Sequence, residues 1–138
     1  MECFAKSKLN KKAYSHAKSF IDNDKIDTKS KWSFNSSDEN KLLGEDKDDW
    51  DNYAKWFLLI NEDANKKTKD YYKFPYGKND KVYKSGLNAI RQRASQFGYD
   101  DVFEAAGKLL DMIAKKEDAE NKIKEEFKGV FEKFLSKI

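Results

Sequence analysis

The apolar positions of this chain fall mostly at helical spacing. Ala13, Ala17, Phe20 and Ile21 stand at i, i+4, i+7 and i+8, which predicts a helix over about 10–22, ended by the Asn- and Asp-rich run that follows. Trp32 and Phe34 alternate with polar neighbours, so a short extended piece should insert two aromatics into the core. Ser36-x-x-Glu39 has the form of a capping box, with Leu42 and Leu43 as one apolar turn and Gly44 as a stop. A short helix is expected over about 37–43. Asp48 or Asp49 can cap the next helix. There Trp50, Tyr53, Ala54, Phe57 and Leu58 fall at i, i+3, i+4, i+7 and i+8, the clearest amphipathic pattern in the chain. The polar stretch 61–70 fits a surface helix capped by Asn61.

The texture changes at Tyr71. Two short extended arms, 71–76 and 81–84, flank a Gly-Lys-Asn-Asp turn and predict a small β-hairpin near 72–84, with Pro75 confining it to an edge. Ser85 can cap a following helix whose stripe is Leu87, Ile90, Ala94 and Phe97 and whose stop is Gly98. Asp100 or Asp101 restarts with Val102, Phe103, Ala106, Leu109, Leu110 and Ile113 on one face, and the short connection makes the two helices neighbours. Residues 115–122 are polar but helix-favouring, so a bend and a continuous helix both remain open. A last apolar face runs from Ile123 to Ile138. The expected fold is therefore mainly α: about five to six helices with one small hairpin. Residues 1–114 form the domain, and 115–138 a terminal amphipathic helix that packs on it or serves association.

Composition narrows the class of protein. At 138 residues the chain suits one domain, and six Gly with one Pro are too few for an all-β sandwich of tight turns. The longest apolar run, Trp56 to Ile60, is five residues, far short of the roughly 20 of a membrane span. One Cys and one His exclude an internal disulfide and a Cys/His zinc site. The first residues lack the apolar region of a secretory signal, so a cytoplasmic setting is expected.

The net charge of +3 is a cancellation. Residues 1–34 carry +4, 35–65 carry −6, 66–98 carry +7 and 99–138 carry −2. Acidic and basic blocks of this kind either pair within a fold or orient a partner. Of the 28 basic residues only Arg91 and Arg93 are arginines, and lysine is a poor reader of base edges, so sequence-specific DNA recognition is disfavoured.

No catalytic constellation emerges. Asp46, Asp48 and Asp51 hint at a calcium loop, but its sixth and twelfth places hold Asp51 and Phe57 instead of Gly and Glu. These acids read as a helix cap. His16 lies beside the apolar face of the first helix without a second ligand and reads as a half-buried structural group. Cys3 has only His16 as a conceivable base. No catalytic residue, cofactor or metal is expected.

The strongest candidate for interaction is the aromatic and basic stretch 71–93. Tyr72, Lys73, Tyr76, Lys78, Lys81, Lys84, Arg91 and Arg93 form the candidate surface, with Tyr83 interleaved. Stacking rings in a basic groove serve single-strand binders. The same residues also serve core packing and edge protection, or a protein docking face. The 123–138 stripe packs on the domain or mediates self-association; a membrane-surface role is minor given Glu125, Glu126 and Glu132.

Several motifs carry a resemblance: "WSF" at 32–34, "LLG" at 42–44, "DDW" at 48–50 with Trp56 and Phe57, "YKFPYGKNDKVYKSGLNAIRQRA" at 72–94 and "AAGKLLD" at 105–111. On them the segment from about Ala13 to Ile113 resembles a small domain of tailed-phage and prophage proteins, often met with head-morphogenesis (prohead protease) proteins. These are scaffold signatures, and the resemblance carries over no catalytic residue; the Lys-rich helix after Ala114 departs from the pattern. Together with the missing catalytic constellation and the bipolar charge, the resemblance points to a non-enzymatic protein acting through contacts with a phage or host protein, with head assembly as one setting. The alternatives are a nucleic-acid-binding accessory using 71–93 and an inhibitor of a host defence protein.

Overall fold

The computed structural model describes residues 7–136, with side chains over 7–122. Twelve elements follow one another: β1 (Ser7–Leu9), α1 (Lys11–Asp22), β2 (Ile26–Asp27), α2 (Ser36–Leu43), α3 (Trp50–Ala54), β3 (Phe57–Asn61), a 3₁₀ turn (Lys69–Tyr71), β4 (Tyr72–Pro75), β5 (Gly77–Lys78), β6 (Lys81–Tyr83), α4 (Lys84–Phe97) and α5 (Asp100–Ser136). One sheet has the order β1-β3-β4, antiparallel throughout. The other has the order β2-β6-β5, with β2 parallel to β6.

Five helices with two three-stranded sheets make this a mixed α/β fold, which overturns the mainly α expectation. The decisive difference lies at Trp56–Ile60. Helical spacing holds only through Ala54; the chain then turns into β3, the central strand of its sheet. Phe57, Leu58 and Leu59 are all buried, so both faces of β3 are covered. A run apolar at every position meets that demand, whereas a surface helix would leave some of it in water. Asn10 locks the junction: its buried side-chain amide donates to the carbonyls of Ala54 (2.8 Å) and Phe57 (2.9 Å). The expected helix over 61–70 is absent. Asn61 and Asn65 instead turn the chain, each accepting through its side chain from the backbone N–H two residues on.

The expected hairpin is smaller than 72–84 and split between sheets. β4 pairs with β3 at one edge, with Phe57 opposite Pro75 and Ile60 opposite Tyr72. Only β5 and β6 form a hairpin, through Asn79 and Asp80, both at positive φ (53° and 57°). That mirror-image turn follows the natural strand twist, and Asn and Asp tolerate it best after Gly. Tyr76 is the crossing point. Its N–H donates to the Trp56 carbonyl (3.1 Å), and its own carbonyl accepts from the Tyr83 N–H (3.1 Å), joining the two sheets.

The helices depart from expectation mainly at their starts. α2 is capped by Asn35, one residue early: Asn35 and Asp38 exchange side-chain and backbone bonds of 3.1 and 3.0 Å. Ser85 does not cap α4; its hydroxyl donates to the Ser30 carbonyl (2.9 Å) and fastens the 28–35 strap to the helix. Gly98 ends α4 in the left-handed region, as glycine can. α5 runs unbroken for 37 residues. Its buried stripe of Val102, Ala106, Leu109 and Ile113 lies in one core with Leu87, Ile90 and Ala94 of α4, and these two helices pack more extensively than any other pair of elements. Phe97, expected in the α4 stripe, is instead 48% exposed. No described helix is long and apolar enough to cross a membrane. Cys3 and the side chains of the 123–138 stripe lie outside the described residues.

Candidate functional site

The residues of the 71–93 stretch separate into core and surface. Tyr72, Tyr76 and Tyr83 are all buried. The Tyr72 ring stacks on Trp50 and its hydroxyl donates to the Lys66 carbonyl (2.9 Å). Tyr76 is fully buried, stacked on Trp56, with its hydroxyl donating to the Lys55 carbonyl (2.6 Å). With that proton committed, the Tyr76 oxygen accepts from Nδ1–H of neutral His16 (2.9 Å). Burial holds the phenols of Tyr72 and Tyr76 above their usual pKa. Burial lowers that of His16, helped by the Lys55 ammonium and opposed by the Lys55 carbonyl and Asp80. None of the three tyrosine rings is presented for stacking on a base.

Most of the cations are engaged as well. Lys78 is held by Asp38 (3.3 Å) and the Ser33 hydroxyl (3.1 Å), beneath the rings of Trp32 and Tyr83. Burial acts to raise the Asp38 pKa, but the Asn35 N–H and Lys78 outweigh it, so the carboxyl stays below its ordinary range. Lys73 lies 3.8 Å from Asp70, and Lys84 3.0 Å from Glu117. Lys69 meets Glu39 at 3.7 Å, so with Lys78 it joins the +7 block to the −6 block inside the fold. Lys81 is exposed and attracts the Asp27 carboxylate. Arg91 lies 4.5 Å over the Phe103 ring.

Arg93 is different. It stands at the rim of a cleft of about 300 Å³ whose other walls are Trp32, Phe74, Pro75, Ala89 and Ile90. Three segments build this cleft. The strap brings Trp32, which packs on Phe34 and Tyr83. Gly86 of α4 lets that ring lie close, since a Cβ there would stand 3.0 Å from the indole and 2.9 Å from the Tyr76 carbonyl. β4 brings Phe74 and Pro75. Phe74 sits at φ 64°, a left-handed conformation costly for an aromatic residue, and its ring meets Tyr99 edge-on. α4 supplies Ala89, Ile90 and Arg93 from one side.

Of the eight candidate residues, only Arg93 lines this cleft. Trp32 was readable as an aromatic insertion and Pro75 as the mark of an edge; Phe74, Ala89 and Ile90 carried no signal beyond ordinary packing. A second groove, along Asn88, Arg91, Gln92, Ser95, Gln96 and Phe103, is open and mostly polar. Among the described residues no group of three His, Cys, Asp or Glu side chains is placed to hold a metal ion. No family model matches the chain, and no curated protein or solved structure shows significant similarity to it.

Proposed function

We propose that the protein is a non-enzymatic docking domain that acts through protein–protein contact, with the Trp32–Phe74–α4 cleft as its binding surface. One observation carries this reading: the open apolar surface with a charged rim is the cleft, whereas the tyrosines offered for base stacking are locked in the core. Small concave apolar surfaces with a few placed polar groups are where anchor side chains of partners seat. The setting comes from the motif resemblance alone: a phage or prophage protein, with head assembly as its context and a phage or host protein as its partner.

A photo-crosslinking residue substituted for Ala89 tests the reading in host cells. We expect nuclease-insensitive crosslinks to protein, above those from a control at Ser95 in the polar groove. Crosslinks to nucleic acid alone, or none above the control, would reject it. Turnover of any substrate abolished by a point substitution would reject the non-enzymatic part.

A further inference from the structure

We infer that the cleft accepts an acidic peptide segment of the partner, with one large apolar side chain seated on Trp32 and Phe74 and a neighbouring aspartate or glutamate held by Arg93. This rests on the docking reading above and gives that partner its chemistry. The size comes first. At about 300 Å³ the cleft is at the bottom of the roughly 300–1,000 Å³ range of small-molecule sites, room for an anchor side chain.

Charge comes second. Lys69, Lys73, Lys78 and Lys84 each have a carboxylate within 4 Å; among the described residues Arg93, like Lys81 and Arg91, has no ion-pair partner, and of these three only Arg93 lines the cleft. A guanidinium presents a rigid fork of donors that matches a carboxylate, and at the edge of an apolar wall such a pair is shielded from water. A single cation suits one carboxylate better than a run of phosphates, which calls for several.

Backbone chemistry comes third. Phe74 keeps a disfavoured left-handed conformation at the cleft wall, and strain of this kind persists where the surroundings over-determine it. Pro75 has no N–H, so this stretch of β4 offers no regular row of donors for an added strand. Recognition here works through side chains.

The test is selection of a random dodecapeptide display library on the full chain, followed by anisotropy titration of the enriched peptides. Enriched sequences should pair Phe, Trp, Leu or Ile with a nearby Asp or Glu. Arg93→Gln should weaken them at least about tenfold, as loss of a charged hydrogen bond implies, and Ala89→Trp, which fills the cleft, should abolish binding. Arg93→Glu, at an exposed position, serves as a further variant whose fold is easily kept. Peptides lost on Ala89→Trp but indifferent to Arg93→Gln would overturn the acidic occupant while leaving the docking reading standing. No enrichment, or binding indifferent to Ala89→Trp, would overturn both. Self-association of the chain that Ala89→Trp abolishes would make a second copy the occupant, and oligonucleotide binding lost on Arg93→Gln would make it nucleic acid; either overturns the inference.

Discussion

Two aromatic clusters flank one stretch of backbone, Tyr72 to Gly77, and they differ in a way composition does not suggest. On the inner side Tyr76 stacks on Trp56, whose ring edge meets His16 and Phe20. On the outer side Trp32, Phe74 and Pro75 face an open cleft. The rings with hydroxyls are inside, and a bare phenylalanine is outside. The inversion works because three of the buried phenols donate internally: Tyr53 to Glu39 (2.9 Å), Tyr72 to the Lys66 carbonyl and Tyr76 to the Lys55 carbonyl. A satisfied phenol is an acceptable core group. Phe74, by contrast, is only half-buried: it packs against the core and Tyr99 and lines the cleft. The inner cluster is closed by its own packing, and the outer one borders the cleft proposed above as the binding surface.

The largest expected effect breaks the inner cluster. Tyr76→Ala should cost about 3–5 kcal/mol, the range for emptying a buried aromatic site, and would loosen the joint between the sheets. Urea unfolding checks it; a loss below about 1 kcal/mol would mean that the joint does not depend on this ring. Next is Lys78→Met. It strands the Asp38 carboxylate, which is only 10% exposed, and frees the strap at Ser33. The expected cost is about 2 kcal/mol, under the roughly 3–5 of a fully buried pair because both groups retain some water. Gly77→Ala should cost about 1–3 kcal/mol through overpacking, since a Cβ there would collide with the Lys81 carbonyl and lie 2.8 Å from the Trp56 ring.

His16 sharpens the comparison through pH. Its pKa is lowered from 6.5 in the folded state, so below that value the unfolded chain binds the extra proton first. Stability therefore rises with pH across this window: the contribution is complete above about pH 6.5 and is lost as pH falls toward the folded pKa. Thermal midpoints from pH 8 to pH 5 should decline more steeply in the natural chain than in His16→Gln. Equal slopes would show that the inner cluster does not resist protonation.

How much of this was legible follows from which interactions are local. α1 was readable from its stripe, the stop at Gly98 from glycine, and the turn at Asn79–Asp80 from its residue types. β3 was not, because Trp50 to Leu58 satisfies a helical template; the strand shows only in the burial of Phe57 and Leu59 on one face and Leu58 on the other. β1 and β2 have three and two residues, too short for any period, and exist through partners far along the chain: Lys8 faces Ile60, and Ile26 faces Val82. Ser85 looked like a cap because nothing local shows that Ser30 would claim its hydroxyl. The site was legible only in scattered pieces: Trp32 as an aromatic insertion, Pro75 as an edge and Arg93 among the cations. Arg93 was one of eight candidates and not set apart from Arg91 or the lysines, and the walls beside it come from the strap, β4 and α4, which only tertiary packing brings together.

The smallest expected effect on stability carries the most weight for function. Arg93 is exposed and makes no described ion pair, so Arg93→Gln should leave unfolding in urea unchanged within about 0.5 kcal/mol, as for surface positions free of structural ties. Lys78→Met, at a cation from the same basic stretch, should show the opposite profile, a large stability loss at a residue with little to offer a partner. The pair thus separates two roles that the sequence merges into one patch. A loss above about 1 kcal/mol on Arg93→Gln would make its guanidinium part of the scaffold, closing the surface against which the inner cluster was contrasted. An unchanged midpoint means that the chain keeps an arginine beside Trp32 and Phe74 for which its own fold has no use.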